Sequence, residues 1–207
     1  GPLKCKLTPG SGIDLSDYIV DNTPSNDSGF KFLLIARLVW DKGIREFIDA
    51  AKLLKQQYPE VKFEIIGPSG VENRTAISSS EIEKWKIENV VEYIGEVDDV
   101  RKYIKDASCI VLPSYREGTS RVLLEASALA RPIIATNVPG CKEVVLDGIS
   151  GFLCKEKDVQ DLFEKMKKMI STPNEIRFKM GKSGRKHIES SYCHKLVCQI
   201  YYDAIKK

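Results

Sequence analysis

The sequence predicts an α/β fold: a doubly wound parallel sheet with helices on both faces. Three observations carry that prediction. Short apolar runs alternate with amphipathic helical stretches at least four times over the 207 residues. The runs are nearly continuous in hydrophobicity, as in FKFLLIA (30–36), which is the pattern of a strand covered on both faces. The stretch 116–136 passes from an acid–glycine–hydroxyl loop into a helix and out into the strand PIIAT, directly after the apolar CIVLPS (109–114).

Taken in order, residues 1–29 read as a connector leading into a domain, because PGSGID (9–14) and DNTPSNDSG (21–29) are turn and loop chemistry. The main domain is expected over residues 30–190. Its first strand, 30–36, is followed by the loop RLVWDKG and then by a helix with Ile44, Phe47, Ile48, Ala51 and Leu54 on one face. Tyr58-Pro59 ends that helix, and VKFEIIG (61–67) is the second strand. A polar loop leads to SSSEIEKWKIE, where Ser80 and Glu83 form a capping box for a short helix. NVVEYIG (89–95) is the third strand, and DDVRKYIKDA (98–107) is a helix with acids in its first turn. The fourth strand, the 116–136 stretch and a fifth strand follow. VPGCKEVVLDG (138–148) reads as a turn and short helix, and GFLC (151–154) as a last strand. Amphipathic helices over 158–170, 174–189 and roughly 192–205 close the chain, the last belonging to a C-terminal segment 191–207.

Composition narrows the class. With 43% hydrophobic and 29% charged residues the chain is ordinary for a globular protein that buries a sizeable core. The net charge of +3 is spread along the sequence, which argues against a dedicated nucleic-acid binder. No apolar run reaches the roughly 18 residues of a membrane span, and no signal peptide is visible. Six cysteines lack C-x-x-C or C-x-x-H spacing, so no metal site is expected and a reducing cytoplasm is the expected setting.

Ligands of doubly wound sheets sit beyond the carboxyl ends of the strands, so the residues just after each strand are the informative ones. Arg37 and Lys42 share the loop after the first strand, where a guanidinium fork and an ammonium suit phosphate oxygens. A local surface pair between Lys42 and Asp41 is the plain alternative. Glu117 and Glu125 stand eight apart, one in the loop after the fourth strand and one in the helix that follows. Two acids at a phosphate seat would repel phosphate, so they suit neutral donors such as sugar hydroxyls. Glu125 sits among Leu123, Leu124, Ala126 and Ala128, where a lone charge costs several kcal/mol unless a ligand or fixed partner meets it. Gly118, Thr119 and Ser120 lie at the helix start, where hydroxyls serve as caps and unpaired N–H groups attract phosphate. Arg121 is either a solvated helix residue or a further ligand contact. His187 and His194, in the terminal helices, read as surface residues. No Walker loop, G-x-G-x-x-G or D-x-D motif stands out, and Asp98-Asp99 reads as a helix start.

These residues, in this order, resemble the C-terminal, donor-binding domain of retaining glycosyltransferases of the GT-B fold, in the large family four. The resemblance is carried by ARLVWDKGIREFIDAAKLL, FEIIGP and VVEYIGEVDDVRKYIKDASCIVLPSYREGTSRVLLEASALARPIIATNVPGCKEVVLDGISGFL, with PGSGID resembling the family's lead-in to that domain. It implies a Rossmann-like sheet and a nucleoside-diphosphate sugar donor, UDP-linked in our reading, with no cofactor. Arg37 and Lys42 match the basic pair that grips the donor diphosphate. Glu117 and Glu125 match the E-x7-E motif, the first near the donor sugar and the second near the ribose. Backbone amides of Gly118, Thr119 and Ser120 are expected to meet the diphosphate or sugar, and the strand end at Val97 to meet the base. Glu117, Arg37 and Lys42 are thus the expected catalytic set, with leaving-group charge met by cations and a helix dipole instead of a metal.

The resemblance also implies what is missing. The family's N-terminal acceptor domain is not in this sequence, so the chain is expected to bind donor but not to transfer sugar by itself. Its implied partners are that domain and a glycan or lipid-linked acceptor, with membrane contact only through the missing half, at the inner face of the plasma membrane. Thr119-Ser120-Arg121-Val122 departs from the aromatic, glycine and Leu-Pro that often follow the first Glu-Gly. Arg121 there resembles a bacterial subgroup acting on lipid-linked oligosaccharides, lipopolysaccharide or capsule, and the donor sugar is left open. Two rival readings are a flavodoxin-like phosphate sensor, which needs neither glutamate, and a nucleotide-sugar epimerase, which needs no acceptor.

Overall fold

The computed structural model describes residue 10, residues 12–20 and residues 29–206. Pro9 and Ser11 of the PGSG cluster, Cys5 and most of the 21–29 loop lie outside the described residues. Six strands form one sheet: β1 (Lys31–Ile35), β2 (Lys62–Ile66), β3 (Glu92–Gly95), β4 (Cys109–Leu112), β5 (Ile133–Thr136) and β6 (Gly151–Cys154). Every pairing is parallel and the order is β3-β2-β1-β4-β5-β6. The helices are α1 (Ile44–Gln57), α2 (Ser79–Glu88), α3 (Arg101–Asp106), α4 (Arg121–Ala128), α5 (Val159–Ser171), α6 (Asn174–Ser191) and α7 (His194–Ile205).

The continuous apolar runs are explained by burial on two faces. Successive residues of β1 point to opposite sides, and all five of its residues are buried. Phe32 and Leu34 join Phe63, Ile65 and Val111 in a layer completed by Phe47 and Leu54 of α1, Trp85 of α2 and Leu162 and Met166 of α5. Leu33 and Ile35 join Ile110, Leu112 and Ile133 in the other layer, with Ile104 of α3, Leu123 and Leu124 of α4 and Ile188 of α6. Each such side chain, fully removed from water, contributes about 1.5–3 kcal/mol before entropy is counted. The edge strand β3 is the least covered, pairing only with β2.

The described part of the connector is docked on this domain. Ile13 donates its N–H to the Tyr192 carbonyl and accepts from His194 N, both at 2.9 Å, at the junction of α6 and α7. A single turn, Leu15–Asp17, follows, capped by the Asp14 carboxylate.

Three local expectations are corrected. The cap of α2 is Ser78, whose Oγ accepts from Glu81 N, and not Ser80 with Glu83. Ile77, buried and bonded to the Leu38 carbonyl, sets the start there, and Ile82 and Trp85 then face the core. The acids before α3 lie outside its first turn. Asp99 instead takes the Arg101 N–H and guanidinium, which hold its carboxyl below the ordinary range. Residues 138–148 form consecutive turns closed on Val138 and Cys141, with no helix, in a segment punctuated by Pro139, Gly140 and Gly148.

Candidate functional site

Strand order alone locates the site. The chain winds outward from β1 through β2 to β3, then returns to the other side of β1 and winds outward through β4, β5 and β6. The switch point therefore lies between β1 and β4, and the crevice beyond their carboxyl ends is the ligand position of such sheets. Two loops meet there: 37–43 after β1 and 113–120 after β4.

The two loops are locked together. Tyr115 N–H donates to the Asp41 carbonyl at 2.9 Å, and Ser114 Oγ donates to that same carbonyl at 3.3 Å. Thr136 Oγ1, at the end of β5, donates to the Ser114 carbonyl. Gly43 has φ +71°, and a β-carbon there would stand 2.0 Å from the Pro113 carbonyl oxygen, so the turn before α1 requires glycine. On the far side, a β-carbon on Gly140 would stand 1.6 Å from the Gly118 carbonyl oxygen, and the Gly140 carbonyl accepts from Ser120 N. Tyr115 OH reaches Glu46 of α1 at 2.7 Å, which ties the second loop to the opposite layer. Burial and the Glu46 carboxylate push that phenol well above its ordinary pKa.

This frame brings the predicted cation and acid into contact. Lys42 Nζ lies 2.6 Å from Glu117 Oε1, with the two side chains only 19% and 12% exposed. The local pair with Asp41 does not form, and the Asp41 carboxylate instead accepts from Thr75 Oγ1. Arg37, after the same strand, is exposed, and its guanidinium has no hydrogen-bond or ion-pair partner among the described residues. Gly118 and Thr119 are exposed, and no heavy atom stands within 4 Å of a β-carbon built on Gly118. Ser120 occupies the N-cap position of α4, yet its side chain makes no capping bond, so the N–H groups of the first turn stay available. The hydroxyl cap expected of Ser120 is absent, and its own N–H is taken by the Gly140 carbonyl.

Glu125 is buried in the second turn of α4 and has fixed partners. Its Oε1 accepts from Tyr18 OH at 3.1 Å and from Arg121 Nε at 3.0 Å. Arg121 is an exposed residue paired to Glu125 at i,i+4. Tyr18 was not legible as a site residue, because it comes from the connector and nothing in its own neighbourhood marks it. Val97 stands on the same rim, half-buried, but beyond the edge strand β3, two strands out from β1. Backbone bonds join the strand ends beside it, from Gly67 N–H to the Gly95 carbonyl and from Ala36 N–H to the Ile66 carbonyl.

His187 Nε2 lies 2.8 Å from the Glu143 carbonyl and packs edge-on to Tyr192, while His194 is exposed at the start of α7. Burial pushes the thiols of Cys141 and Cys154 up to about 12, marking them as packing residues. Among the described residues no group of three or more His, Cys, Asp or Glu stands together as a metal-holding cluster, and no helix is long and apolar enough to cross a membrane. Well-formed grooves lie elsewhere, one of them between α1 and α2 around Trp40 and Trp85.

Comparison with known proteins follows the same outline. Residues 17–187 match the family model described as Glycosyl transferases group 1. The chain is 30% identical over 194 residues to the capsular polysaccharide biosynthesis glycosyltransferase CapM of Staphylococcus aureus, covering 90% of this chain and 50% of that protein. It spans about half the length of the curated relatives it matches. Among solved structures, Anabaena Alr3699/HepE in complex with UDP superposes with a TM-score of 0.81 at 20% identity, over 94% of this chain and 56% of that one. The C-terminal domain of the group 1 glycosyl transferase LpcC from Francisella tularensis superposes with a TM-score of 0.74 at 22% identity, over 88% of this chain and 99% of that one. At these identities the two structures establish the fold, the Rossmann-like half of GT-B enzymes.

Proposed function

The chain belongs to the group 1 glycosyl transferases, and from that premise we propose that it is the donor-binding half of a retaining enzyme that moves a sugar from a nucleoside-diphosphate sugar. The observation that carries the reading is the Lys42–Glu117 pair at the switch point, with the exposed Arg37 guanidinium, unpartnered among the described residues, in the same loop. The Arg37 fork takes diphosphate oxygens, and Lys42 adds a second positive charge beside it. The N-terminus of α4, with Gly118 and Thr119 leading into it, supplies N–H groups and a positive dipole end to the same leaving group. As the glycosidic bond breaks, charge grows on the departing diphosphate. These groups stabilise it, so in this reading no metal ion is required. Glu117, oriented by Lys42, accepts from hydroxyls of the donor sugar, and Glu125 accepts from the ribose. Val97 stands where the base would lie.

UDP is the proposed nucleotide, supported by the UDP complex of HepE. A growing surface glycan or its lipid-linked precursor is the proposed acceptor, supported by the likeness to CapM, named for capsular polysaccharide biosynthesis. The acceptor site and the rest of the catalytic contacts belong to a preceding domain. The enzyme would work in the cytoplasm, with that domain reaching the inner face of the membrane.

Two measurements on the 207-residue chain test this. Calorimetry is expected to detect binding of UDP, and a radiolabelled transfer assay to detect no turnover. Failure to bind any nucleoside diphosphate overturns the donor reading. Robust transfer overturns the need for a second domain.

A further inference from the structure

Glu125 has an unusual set of partners for a carboxylate at a ligand rim. It is about nine-tenths buried, and one oxygen, Oε1, receives both of its hydrogen bonds. Oε2 makes none among the described residues, yet it is not sealed off as a buried orphan. One partner, Arg121, is 78% exposed and lies on the same helix, so by itself it is a loose restraint. The other partner is not loose. Tyr18 is buried, 7% exposed, as part of the core layer that holds Leu123 of α4 and Ile188 of α6. Its backbone carbonyl accepts from Arg185 Nη1 at 3.0 Å, and that same nitrogen donates to the Ala128 carbonyl at the end of α4. The tyrosine is thus fixed at its backbone, along its ring and at its hydroxyl.

A second contact runs from the same connector to the other end of the motif. Gly10 lies against Thr119, where a β-carbon on Gly10 would stand 2.8 Å from Thr119 Oγ1. Between the two contacts, Ile13 is pinned to the α6–α7 junction by its two backbone bonds. The connector therefore touches the loop before α4 and the acid within it.

We propose that Tyr18 is a positioning residue of the donor site: its hydroxyl holds Oε1 of Glu125 and leaves Oε2 as the acceptor for the ribose hydroxyls. The inference rests on the donor reading above and extends it to a residue outside the sheet and its loops. A carboxylate with one oxygen fixed in advance loses little freedom on meeting a diol, so selectivity for the ribose hydroxyls depends on the tyrosine.

The test compares UDP with 2′-deoxy-UDP and 3′-deoxy-UDP by calorimetry, in the parent chain and in Tyr18→Phe, Glu125→Gln and the double variant. The parent is expected to favour UDP over at least one deoxy analogue by about tenfold, the worth of a hydrogen bond to a charged acceptor. Tyr18→Phe is expected to reduce that ratio to about threefold or less, with the melting midpoint confirming the fold. Adding it to Glu125→Gln should change the ratio no further, since both act through one carboxylate. A Tyr18→Phe chain that weakens all three nucleotides by one common factor overturns the proposal, because the ring then serves packing alone. A parent chain that binds UDP without distinguishing the deoxy analogues removes Glu125 from the ribose, and the proposal goes with it, while the donor reading survives on Arg37 and Lys42. No binding of UDP removes both.

Discussion

Arg37 and Lys42 look equivalent as cations in one loop, but the structure separates them. Lys42 is already engaged by Glu117 at 2.6 Å and largely screened from water, whereas the Arg37 guanidinium is exposed and without a partner among the described residues. Arg37→Ala should therefore act on the diphosphate alone, weakening UDP by roughly 1.5–3 kcal/mol and leaving uridine unchanged. Lys42→Ala should do more than remove a cation, because it strands a nearly buried carboxylate beside the phosphate seat. The expected signature is a loss of UDP affinity together with a lower melting midpoint, where Arg37→Ala leaves the midpoint in place. Calorimetry with UDP and uridine, paired with thermal unfolding, checks both. Equal loss on UDP and uridine for Arg37→Ala would argue against a diphosphate contact. At this scale the sequence was informative about residues adjacent to strand ends, since a parallel sheet sends those to one rim. It was silent about Tyr18, whose partner lies 107 positions away and whose role depends on packing no local pattern records.

Elements were legible where burial dictates the pattern and illegible where several residues offer the same chemistry. The central strands were readable because β1 and β4 are covered on both faces and so are apolar almost throughout, and β6 falls on the predicted 151–154. Helix starts were harder. The run Ser78-Ser79-Ser80 gives three chemically equal caps, and the choice is made by Ile77, which docks on the Leu38 loop before the helix begins. The difference is measurable. Ser78→Ala should cost about 1 kcal/mol through loss of the bond to Glu81 N–H, while Ser80→Ala, at an exposed position within the first turn, should cost a few tenths. Denaturant unfolding of the two variants decides it, and a larger effect at Ser80 would return the cap to the position the capping-box pattern favours. The turns over 138–148 were read as partly helical for a related reason. Their apolar residues, Val138, Cys141, Val144 and Val145, have helical spacing, but they are buried by a folded-over loop that braces Gly118.

At the scale of the whole molecule, the proposed donor site and a buried ion cluster occupy opposite ends of one sheet. The carboxyl ends of β1 and β4 carry Arg37, Lys42 and Glu117. The amino end of β1 carries Lys31, buried, with Nζ 2.9 Å from Glu64 and 2.7 Å from Asp106. Burial opposes the Lys31 charge, but the bonds it donates to Asp106 and Glu64 more than offset it, so its pKa stands above the ordinary lysine value of 10.5. A raised pKa on a base means that the pairing is fully present below the unfolded value and is lost only as pH rises through the folded one, so at neutral pH it is intact. Lys31→Met would leave Glu64 nearly buried without its cation, which costs about 3 kcal/mol. For a chain of this size that lowers the melting midpoint by about 6–12 °C. Because the cluster sits a full strand length from the rim, UDP affinity below the transition should not change, the reverse of the outcome for Arg37→Ala. Unfolding and calorimetry on the two variants side by side form a crossed test. If Lys31→Met weakened UDP as much as it weakened the fold, the two ends of the sheet would be coupled, and locating the site from strand order alone would no longer be sufficient.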